Sequence, residues 1–169
     1  MTSISLVLFD LNGVLYRYDR AARINWLASA SGRPPDAVKA AIWDSGFEDS
    51  GDAGALDADA YLRGFGACLG HPLTEQDWVA AQLAAVSPIA ETLALLAGLR
   101  ARRAVLTNNN LLVLRWFAML YPEVAGCQAF VSAEFGARKP EPEAYLRCLK
   151  QLGVPPAEAL FVDDSAANV

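Results

Sequence analysis

The chain has 169 residues, of which 54% are hydrophobic and 20% are charged, and its formal net charge is −5. This composition supports a sizeable core within one compact domain and excludes global disorder. It also disfavours a nucleic-acid partner, because phosphate-backbone binding needs a basic surface and the chain has no run of lysine or arginine. No apolar run approaches the length of a membrane span, and three cysteines without paired spacing suit a reducing compartment. We therefore expect a cytoplasmic protein with no membrane partner.

The first predicted element is a buried strand over residues 4–10, with the sequence ISLVLFD. Its β-branched and aromatic residues do not alternate with polar ones, which is typical of a strand covered on both faces in a parallel sheet. The strand ends on Asp10, and Asn12 and Gly13 follow it.

From about residue 20 to residue 86 the pattern is helical, and no strand pattern interrupts it. Asp57 and Thr74 are the expected N-caps of two of these helices, because their side chains can accept from the free N–H groups of the first turn. The stretch 46–55, GFEDSGDAGA, is predicted to be the longest loop of this interval.

From residue 87 onward, predicted helices alternate with strands. Strands are expected at AVLTNN (104–109), QAFVS (128–132) and ALFVDD (159–164), and helices at 87–100, 110–120 and 141–152. Such alternation with short connections predicts a doubly wound, Rossmann-like α/β fold with a parallel sheet. We expect a core domain made of residues 1–18 and 87–169, with a helical cap domain of residues 19–86 inserted after the first strand.

Polar side chains fall at the carboxyl ends of the predicted strands or in the loops that follow them. The residues are Asp10, Thr107, Asn108, Lys139, Asp163 and Asp164. Ligands of open α/β sheets bind outside the carboxyl ends of the strands. We therefore expect these side chains to form one site.

These motifs resemble those of the haloacid dehalogenase-like hydrolase superfamily. FDLNGVL (9–15) matches its first motif, LTNN (106–109) its second, KPEPEAY (139–145) its third and FVDDSAAN (161–168) its fourth, in the family's order and spacing. The resemblance implies a magnesium-dependent phosphatase acting on a small phosphorylated metabolite, with the helical insert as the family's small helical cap. The cap pattern and the KPEP and DDSxxN forms look nearest to the sugar-phosphate phosphatases.

The chemistry of the residues agrees with this resemblance. Asp10 would attack phosphorus as a carboxylate nucleophile and form an aspartyl-phosphate, which splits a difficult hydrolysis into two easier steps. Asp10, Asp164 and the backbone carbonyl of Asn12 would bind Mg²⁺. Asp163 would either bind the metal as well or orient its ligands.

The remaining residues would bind the phosphate. Lys139 would offset negative charge on both the nucleophile and the substrate. Thr107 and Asn108, with the backbone N–H groups after Asp10, would hold the phosphoryl oxygens. Gly13 would allow the close backbone approach that these contacts need.

Asn12 departs from the family pattern. In the phosphatases of the superfamily this position is usually an aspartate, which protonates the leaving oxygen and then activates the attacking water. Asn12 cannot transfer protons at neutral pH, and acid–base catalysis is typically worth about 10² to 10⁴ in rate. We therefore expect slow turnover unless another group substitutes, with Tyr16, Tyr18 and Asp19 as the nearby candidates.

Two other functions remain open at this point. A metal-free 2-haloacid dehalogenase shares the fold and the nucleophile, and it also lacks the second aspartate. The adjacent pair Asp163 and Asp164 disfavours it, because a metal-free site has little use for extra carboxylates. The other alternative is a non-catalytic phosphate-binding protein, which Asn12 favours.

The last predicted strand would lie at an edge of the sheet. Chains of the superfamily normally continue through another helix and at least one more strand. An apolar edge such as ALFV is a pairing hazard. We therefore expect either a longer gene product or a second chain over this edge, as in a homodimer.

Overall fold

Apolar strands lie at the centre of the molecule. The computed structural model describes residues 3–169. Its strands are β1 (Leu6–Phe9), β2 (Tyr16–Tyr18), β3 (Val86–Pro88), β4 (Arg102–Thr107), β5 (Gln128–Val131) and β6 (Ala159–Val162). Within residues 3–169, four of them form a sheet in the order β5-β4-β1-β6. Every neighbouring pair in this sheet is parallel.

Helices cover both faces of the sheet. They are α1 (Arg20–Ser31), α2 (Pro35–Lys39), α3 (Phe47–Asp52), α4 (Ala58–Leu69), α5 (Glu75–Leu83), α6 (Ala90–Gly98), α7 (Leu111–Arg115), α8 (Phe117–Leu120), α9 (Ser132–Phe135) and α10 (Pro142–Leu152). Helix α2 continues as a π-helical turn, Ala40–Asp44. None of the helices in residues 3–169 is both long and apolar enough to cross a membrane.

The side chains of β1 alternate between the two faces of the sheet. Val7 and Phe9 belong to one apolar cluster, whereas Leu6 and Leu8 belong to a second that includes residues of α10. All four are buried, because helices pack on both sides of the strand. This arrangement confirms the predicted doubly wound, Rossmann-like α/β fold.

Helices α1 to α5, here called the helical segment (residues 20–83), lie between β2 and β3. These two strands pair in an antiparallel ribbon, with Tyr16 opposite Pro88. As predicted, the side chains of Asp57 and Thr74 cap α4 and α5 by accepting from backbone N–H groups. The segment therefore leaves and returns to the sheet through adjacent strands.

The structure corrects several predicted boundaries. The stretch 46–55, predicted as a loop, contains α3. Its Phe47 stacks on Tyr61 of α4 with ring centroids 5.4 Å apart. The helix predicted from residue 87 begins at Ala90, since residues 86–88 pair with β2 instead. Both errors have a tertiary cause that local patterns do not contain.

Candidate active site

The carboxyl ends of β1 and β6 bring three carboxylates together. Asp10 follows β1, Asp163 and Asp164 follow β6, and the two strands are parallel neighbours. One oxygen atom from each of the three side chains lies within 4.8 Å of the others. Carboxylate oxygens are ligands that Mg²⁺ prefers, so this donor set fits a magnesium ion.

Gly13 lies against the same carboxylates. Its φ is +90°, a backbone conformation that favours glycine. A Cβ atom at this position would lie 2.2 Å from Oδ2 of Asp164. Any larger residue would therefore displace Asp164 from the cluster as well as strain the backbone.

Lys139 is buried beside two of the carboxylates, although its loop position made an exposed side chain plausible. The residue is 5% exposed. Its Nζ lies 2.8 Å from Oδ1 of Asp10 and donates to Oδ2 of Asp163 at 2.6 Å. The ammonium also lies 5.0 Å from the centre of the Phe161 ring. One positive charge is thus fixed between two negative ones.

The carboxyl group of Asp163 is fully engaged by protein donors. Its Oδ1 accepts from the backbone N–H of Ser165 at 2.8 Å and from Nδ2 of Asn168 at 3.0 Å. Its Oδ2 accepts from Lys139 and also from Asn168. A carboxylate offers about four lone-pair directions, so little capacity is left for a metal.

The three carboxyl groups consequently differ in electrostatic environment. Burial raises the pKa of Asp10, and Lys139 offsets this only in part, so the pKa lies above 3.8. Burial also acts to raise the pKa of Asp163, but hydrogen bonds from Lys139 and Ser165 outweigh it and hold the pKa below 3.8. Asp164 is exposed and faces the other two. Asp10 and Asp164 are therefore the more available metal ligands, and Asp163 the one best placed to orient Lys139.

The end of β4 supplies the other predicted residues. Asn108 exchanges two hydrogen bonds with the backbone of Lys139, donating from Nδ2 at 3.0 Å and accepting at Oδ1 at 2.9 Å. Its side chain thus braces the loop that carries Lys139. The Thr107 side chain is buried and accepts from Nδ2 of Asn109 at 3.0 Å.

Asn12 lies at the boundary between the carboxylates and a cavity of about 270 Å³. Its Oδ1 is buried and has no hydrogen-bond partner among the described residues. The cavity is enclosed by the end of β4, the Lys139 loop and the helical segment. Its lining includes Asn12, Tyr18, Arg20, Arg23, Trp43, Glu48, Asp49, Asp52, Gln82, Asn108, Asn109 and Arg138.

None of the six charged residues that line this cavity was among the site residues predicted from sequence. Arg23, Glu48 and Asp52 all come from the helical segment. One signal was available for Arg23, because it shares the buried face of α1 with Leu27, four residues later, where an apolar residue is expected. The other two lie in the stretch predicted as a loop, and no periodicity marked them.

Three residues were candidates for replacing Asn12 in proton transfer, and they differ in the hydrogen bonds they already make. Tyr16 donates to Glu123, and neither residue belongs to the cavity lining. Asp19 caps α1 by accepting from the N–H of Ala22 at 3.1 Å. Tyr18 lines the cavity, and its hydroxyl accepts from Arg23 at 3.2 Å. Tyr18 is thus the one of the three that lies at the cavity.

Two contacts beside the cavity help to fasten the helical segment to the carboxyl end of the sheet. Buried Ser132 donates to the backbone carbonyl of Asp52 at 2.6 Å and accepts from the N–H of Asn109 at 3.1 Å. Arg138, next to Lys139 in the chain, pairs with Asp49 at 2.9 Å. The cavity therefore lies between the segment and the strand ends.

The chain is similar to known hydrolases. The family model of the haloacid dehalogenase-like hydrolases matches residues 4–169. The D-ribitol-5-phosphate phosphatase of Bacteroides thetaiotaomicron is 27% identical over 178 residues, which cover 98% of this chain and 85% of that protein. The flavin mononucleotide hydrolase 1 of Arabidopsis thaliana is 48% identical, but only over 40 residues and 24% of this chain.

Solved structures share the fold over nearly the whole chain. A HAD-like family hydrolase from Porphyromonas gingivalis is 25% identical, with a TM-score of 0.78 and coverage of 98% of this chain and 84% of that one. A HAD family enzyme from Bacteroides thetaiotaomicron, solved in complex with magnesium and inorganic phosphate, is 22% identical with a TM-score of 0.79 and coverage of 98% and 87%. With the family model matching nearly the full length, the chain belongs to the haloacid dehalogenase-like hydrolases.

Proposed function

We propose that the protein is a magnesium-dependent phosphatase that hydrolyses a small phosphorylated metabolite through an aspartyl-phosphate. The observation that carries this proposal is the position of Lys139, 2.8 Å from Asp10 in a cluster of three carboxylates beside a cavity. A metal-free dehalogenase would leave this concentration of negative charge uncompensated. The similarity to a D-ribitol-5-phosphate phosphatase supports a sugar or polyol phosphate as the substrate class.

Asp10, Asp164 and the backbone carbonyl of Asn12 would hold the magnesium ion, with Asp163 braced behind them. When bound, the ion would neutralise charge on the phosphate and so allow an anionic nucleophile to approach it. Gly13 supports this site because its lack of a Cβ leaves room for Asp164. Asp163 contributes mainly by fixing Lys139 and the loop that follows β6.

Each of these residues has a separate role in the proposed reaction. The Asp10 carboxylate attacks phosphorus and displaces the leaving alcohol, and water then hydrolyses the resulting acyl phosphate. Lys139 holds both Asp10 and the phosphate by charge. Thr107 and the backbone N–H groups near Gly13 and Asn108 hold the phosphoryl oxygens as charge develops on them.

Asn12 limits this proposed reaction at both of its steps. It keeps the backbone carbonyl that binds the metal, but its side chain can neither protonate the leaving oxygen nor deprotonate water at neutral pH. Slow turnover on poor leaving groups is the expected result.

The helical segment would act as the cap of this site. We place the cap at residues 19–86 and the core at 1–18 and 87–169, with the β2–β3 ribbon as the connection. The cap would border the cavity and contact the loops after the strand ends through Asp49 and Asp52. It therefore supplies the surface that contacts the part of the substrate beyond the phosphate.

The open edge of β6 suggests a partner. In the sheet of residues 3–169, β6 is an outer strand, and its Leu160 is 50% exposed. A second copy of the chain in a homodimer would cover it, since exposed apolar edges favour pairing. Sedimentation equilibrium tests this, and a monomer at all concentrations would contradict it. The proposed compartment is the cytoplasm, because the described cysteines are free thiols and a reducing compartment keeps thiols unpaired.

The proposed activity is tested with p-nitrophenyl phosphate and magnesium. We expect hydrolysis that EDTA abolishes and added magnesium restores, with an acid-stable phosphoenzyme trapped during turnover. Asp10→Ala should lose both the activity and the phosphoenzyme, whereas the exposed control Asp44→Ala should retain both. EDTA-resistant activity on a 2-haloacid would favour the dehalogenase. Phosphate binding without turnover or phosphoenzyme would favour the binding protein.

A further inference from the structure

Three buried polar groups line the same cavity with unused hydrogen-bonding atoms. They are Nε and Nη2 of Arg23, Oδ1 of Asp52 and Oδ1 of Asn12, which have no hydrogen-bond partner among the described residues. Arg23 is 1% exposed and Asp52 is 9% exposed. Buried polar groups in native proteins are nearly always paired, so a cluster of unpaired ones beside a cavity points to a ligand that completes them.

The Arg23 guanidinium is held in place by other contacts. Its Nη1 donates to Glu48 at 2.5 Å and to Tyr18 at 3.2 Å. Its charge also lies over aromatic rings, 5.4 Å from the centroid of Trp43 and 5.7 Å from that of Trp78. Two donor nitrogens, Nε and Nη2, thus remain on a guanidinium that is rigidly positioned. Rigid donors lose little conformational entropy when they bind a ligand.

Two of the three arginines that line the cavity are already paired with carboxylates. Glu48 already neutralises Arg23, and Asp49 pairs with Arg138 at 2.9 Å. Arg20, which is exposed, is the arginine of this lining that has no ion pair among the described residues. Beside the unused atoms of Arg23, and at Arg138, an anionic tail would therefore meet no free cation.

Hydroxyl groups match the unused atoms better. Arg23 can only donate and the Oδ1 of Asn12 can only accept, while a hydroxyl does both. Burial, and secondarily the charge of Glu48, raises the pKa of Asp52 to about 8. Near neutral pH its carboxyl group is therefore largely protonated, and it can donate as well as accept.

We infer that Arg23, Asp52 and Asn12 form a hydroxyl-binding site, which takes the neutral, polyhydroxylated carbon chain of the substrate. This inference rests on the proposed phosphatase function, because it places the substrate phosphate at Asp10 and the rest of the molecule in the cavity. At about 270 Å³ the cavity is at the small end of ligand pockets, which typically span about 300–1,000 Å³. It suits the carbon chain of a short open-chain polyol phosphate.

Competing substrates test the inference. We compare kcat/KM for D-ribitol 5-phosphate, which carries hydroxyls, with phenyl phosphate, which has none, and with 2-phosphoglycolate, which has a second anion. In Arg23→Lys and Asp52→Ala the ratio of ribitol phosphate to phenyl phosphate efficiency should fall about tenfold or more, the factor expected for a lost hydrogen bond. Asp52→Asn should restore the ratio to within about threefold, because an amide also donates and accepts.

The control is Asp44→Ala, whose side chain is 53% exposed and pairs with Lys39 outside the cavity lining. It should leave the ratio unchanged. Thermal unfolding of each variant distinguishes a misfolded protein from a folded one that no longer binds the substrate hydroxyls. If Arg23→Lys does not fold, Asp52→Ala and Asp52→Asn still test the inference. A ratio that no Asp52 variant changes would overturn the inference, as would higher efficiency on 2-phosphoglycolate than on ribitol phosphate.

Calorimetric binding of the same three esters, with magnesium present, separates this inference from the proposed function. If no ester is hydrolysed but ribitol phosphate binds most tightly and Asp52→Ala weakens it about tenfold, the hydroxyl site stands and the phosphatase proposal fails. If p-nitrophenyl phosphate is hydrolysed while the three esters bind equally in every variant, the phosphatase proposal stands and the hydroxyl site fails.

Discussion

Asn108 and Lys139 hold each other in place: the Asn108 side chain donates to the Lys139 carbonyl at 3.0 Å and accepts from the Lys139 N–H at 2.9 Å. The two residues come from different crossover units, 31 positions apart. Their contact joins the end of β4 to the loop that carries the buried lysine. The position of the ammonium beside Asp10 therefore depends on an amide that need not touch the substrate with its side chain.

Asn108→Ala should accordingly lower kcat, by up to about 10²-fold, since misplacement of a catalytic group by an ångström costs about that much. Steady-state kinetics with p-nitrophenyl phosphate measure it. The control Asn25→Ala removes an exposed amide from α1 and should leave kcat unchanged. Full activity in Asn108→Ala would show that the lysine loop holds its position without this brace.

Asn12→Asp should raise the turnover of sugar or polyol phosphates by about 10² or more, the usual scale of acid–base catalysis. The reason is that an alkoxide leaving group needs a proton, which the asparagine cannot supply. p-Nitrophenolate leaves without one, so the first step on that substrate is fast even with Asn12. Rapid-mixing measurements should therefore show a burst of p-nitrophenol from the natural protein and none from Asn12→Asp.

If Asn12→Asp changes neither the burst nor the rate on polyol phosphates, another residue transfers the proton. Tyr18, whose hydroxyl lies at the cavity, is the first to test by Tyr18→Phe. A further loss of rate in that variant would identify it.

Ser132→Ala should destabilise the protein although it leaves the charged groups of the site intact. The Ser132 hydroxyl satisfies both the carbonyl of Asp52 and the N–H of Asn109, and its loss leaves two buried backbone groups unpaired. Such groups cost about 1–3 kcal/mol. For a chain of this size that corresponds to a fall in Tm of roughly 3–10 °C.

Calorimetric melting of Ser132→Ala beside Ser29→Ala, an exposed position in α1, checks this. Ser29→Ala should change Tm little. Equal melting temperatures for the two variants would mean that water replaces the hydroxyl at Ser132.

Asp52→Asn should change how stability depends on pH. The pKa of Asp52 is raised from 3.8 to about 8 in the folded state, chiefly by burial. A raised pKa means that the folded protein binds this proton more tightly, so the stabilisation is complete below about pH 4 and is lost as the pH rises toward 8. We therefore subtract the Tm of the natural protein from the Tm of Asp52→Asn at each pH, and this difference should increase from pH 5 to pH 8. A difference that stays constant would show that Asp52 is not protonated in the folded protein.

The sheet and its strand ends were predictable from local sequence. The apolar run ending at Asp10 and the pair Asp163 and Asp164 lie where the pattern placed them, because a buried parallel strand has a distinctive composition and its carboxyl end carries the ligand-binding residues. The N-caps Asp57 and Thr74 were equally local, since capping is decided within one turn of helix.

The cavity wall was not predictable in the same way. Arg23 is buried because Glu48 and aromatic rings from three other parts of the helical segment surround it, and no local pattern carries that information. The raised pKa of Asp52 likewise depends on burial and on its neighbour Glu48. The ribbon of β2 and β3 pairs residues about 70 positions apart, beyond the range of any periodicity.

That ribbon also determines how the site can open. Residues 16–18 are hydrogen-bonded in register to residues 86–88, and the N–H of Asp19 extends the pairing to the carbonyl of Ala85 at 2.8 Å. The two ends of the helical segment are therefore tied to each other and cannot move independently. As a rigid unit, the segment could still rotate about the ribbon. The contacts of Ser132 with Asp52 and of Arg138 with Asp49 join the segment to the strand ends, and Arg115 of α7 also pairs with Asp59 and Glu75 of the segment, so such a rotation would break these contacts. Substrate entry and product release would then share one hinge axis, and their rates would depend on these contacts rather than on the chemistry at Asp10.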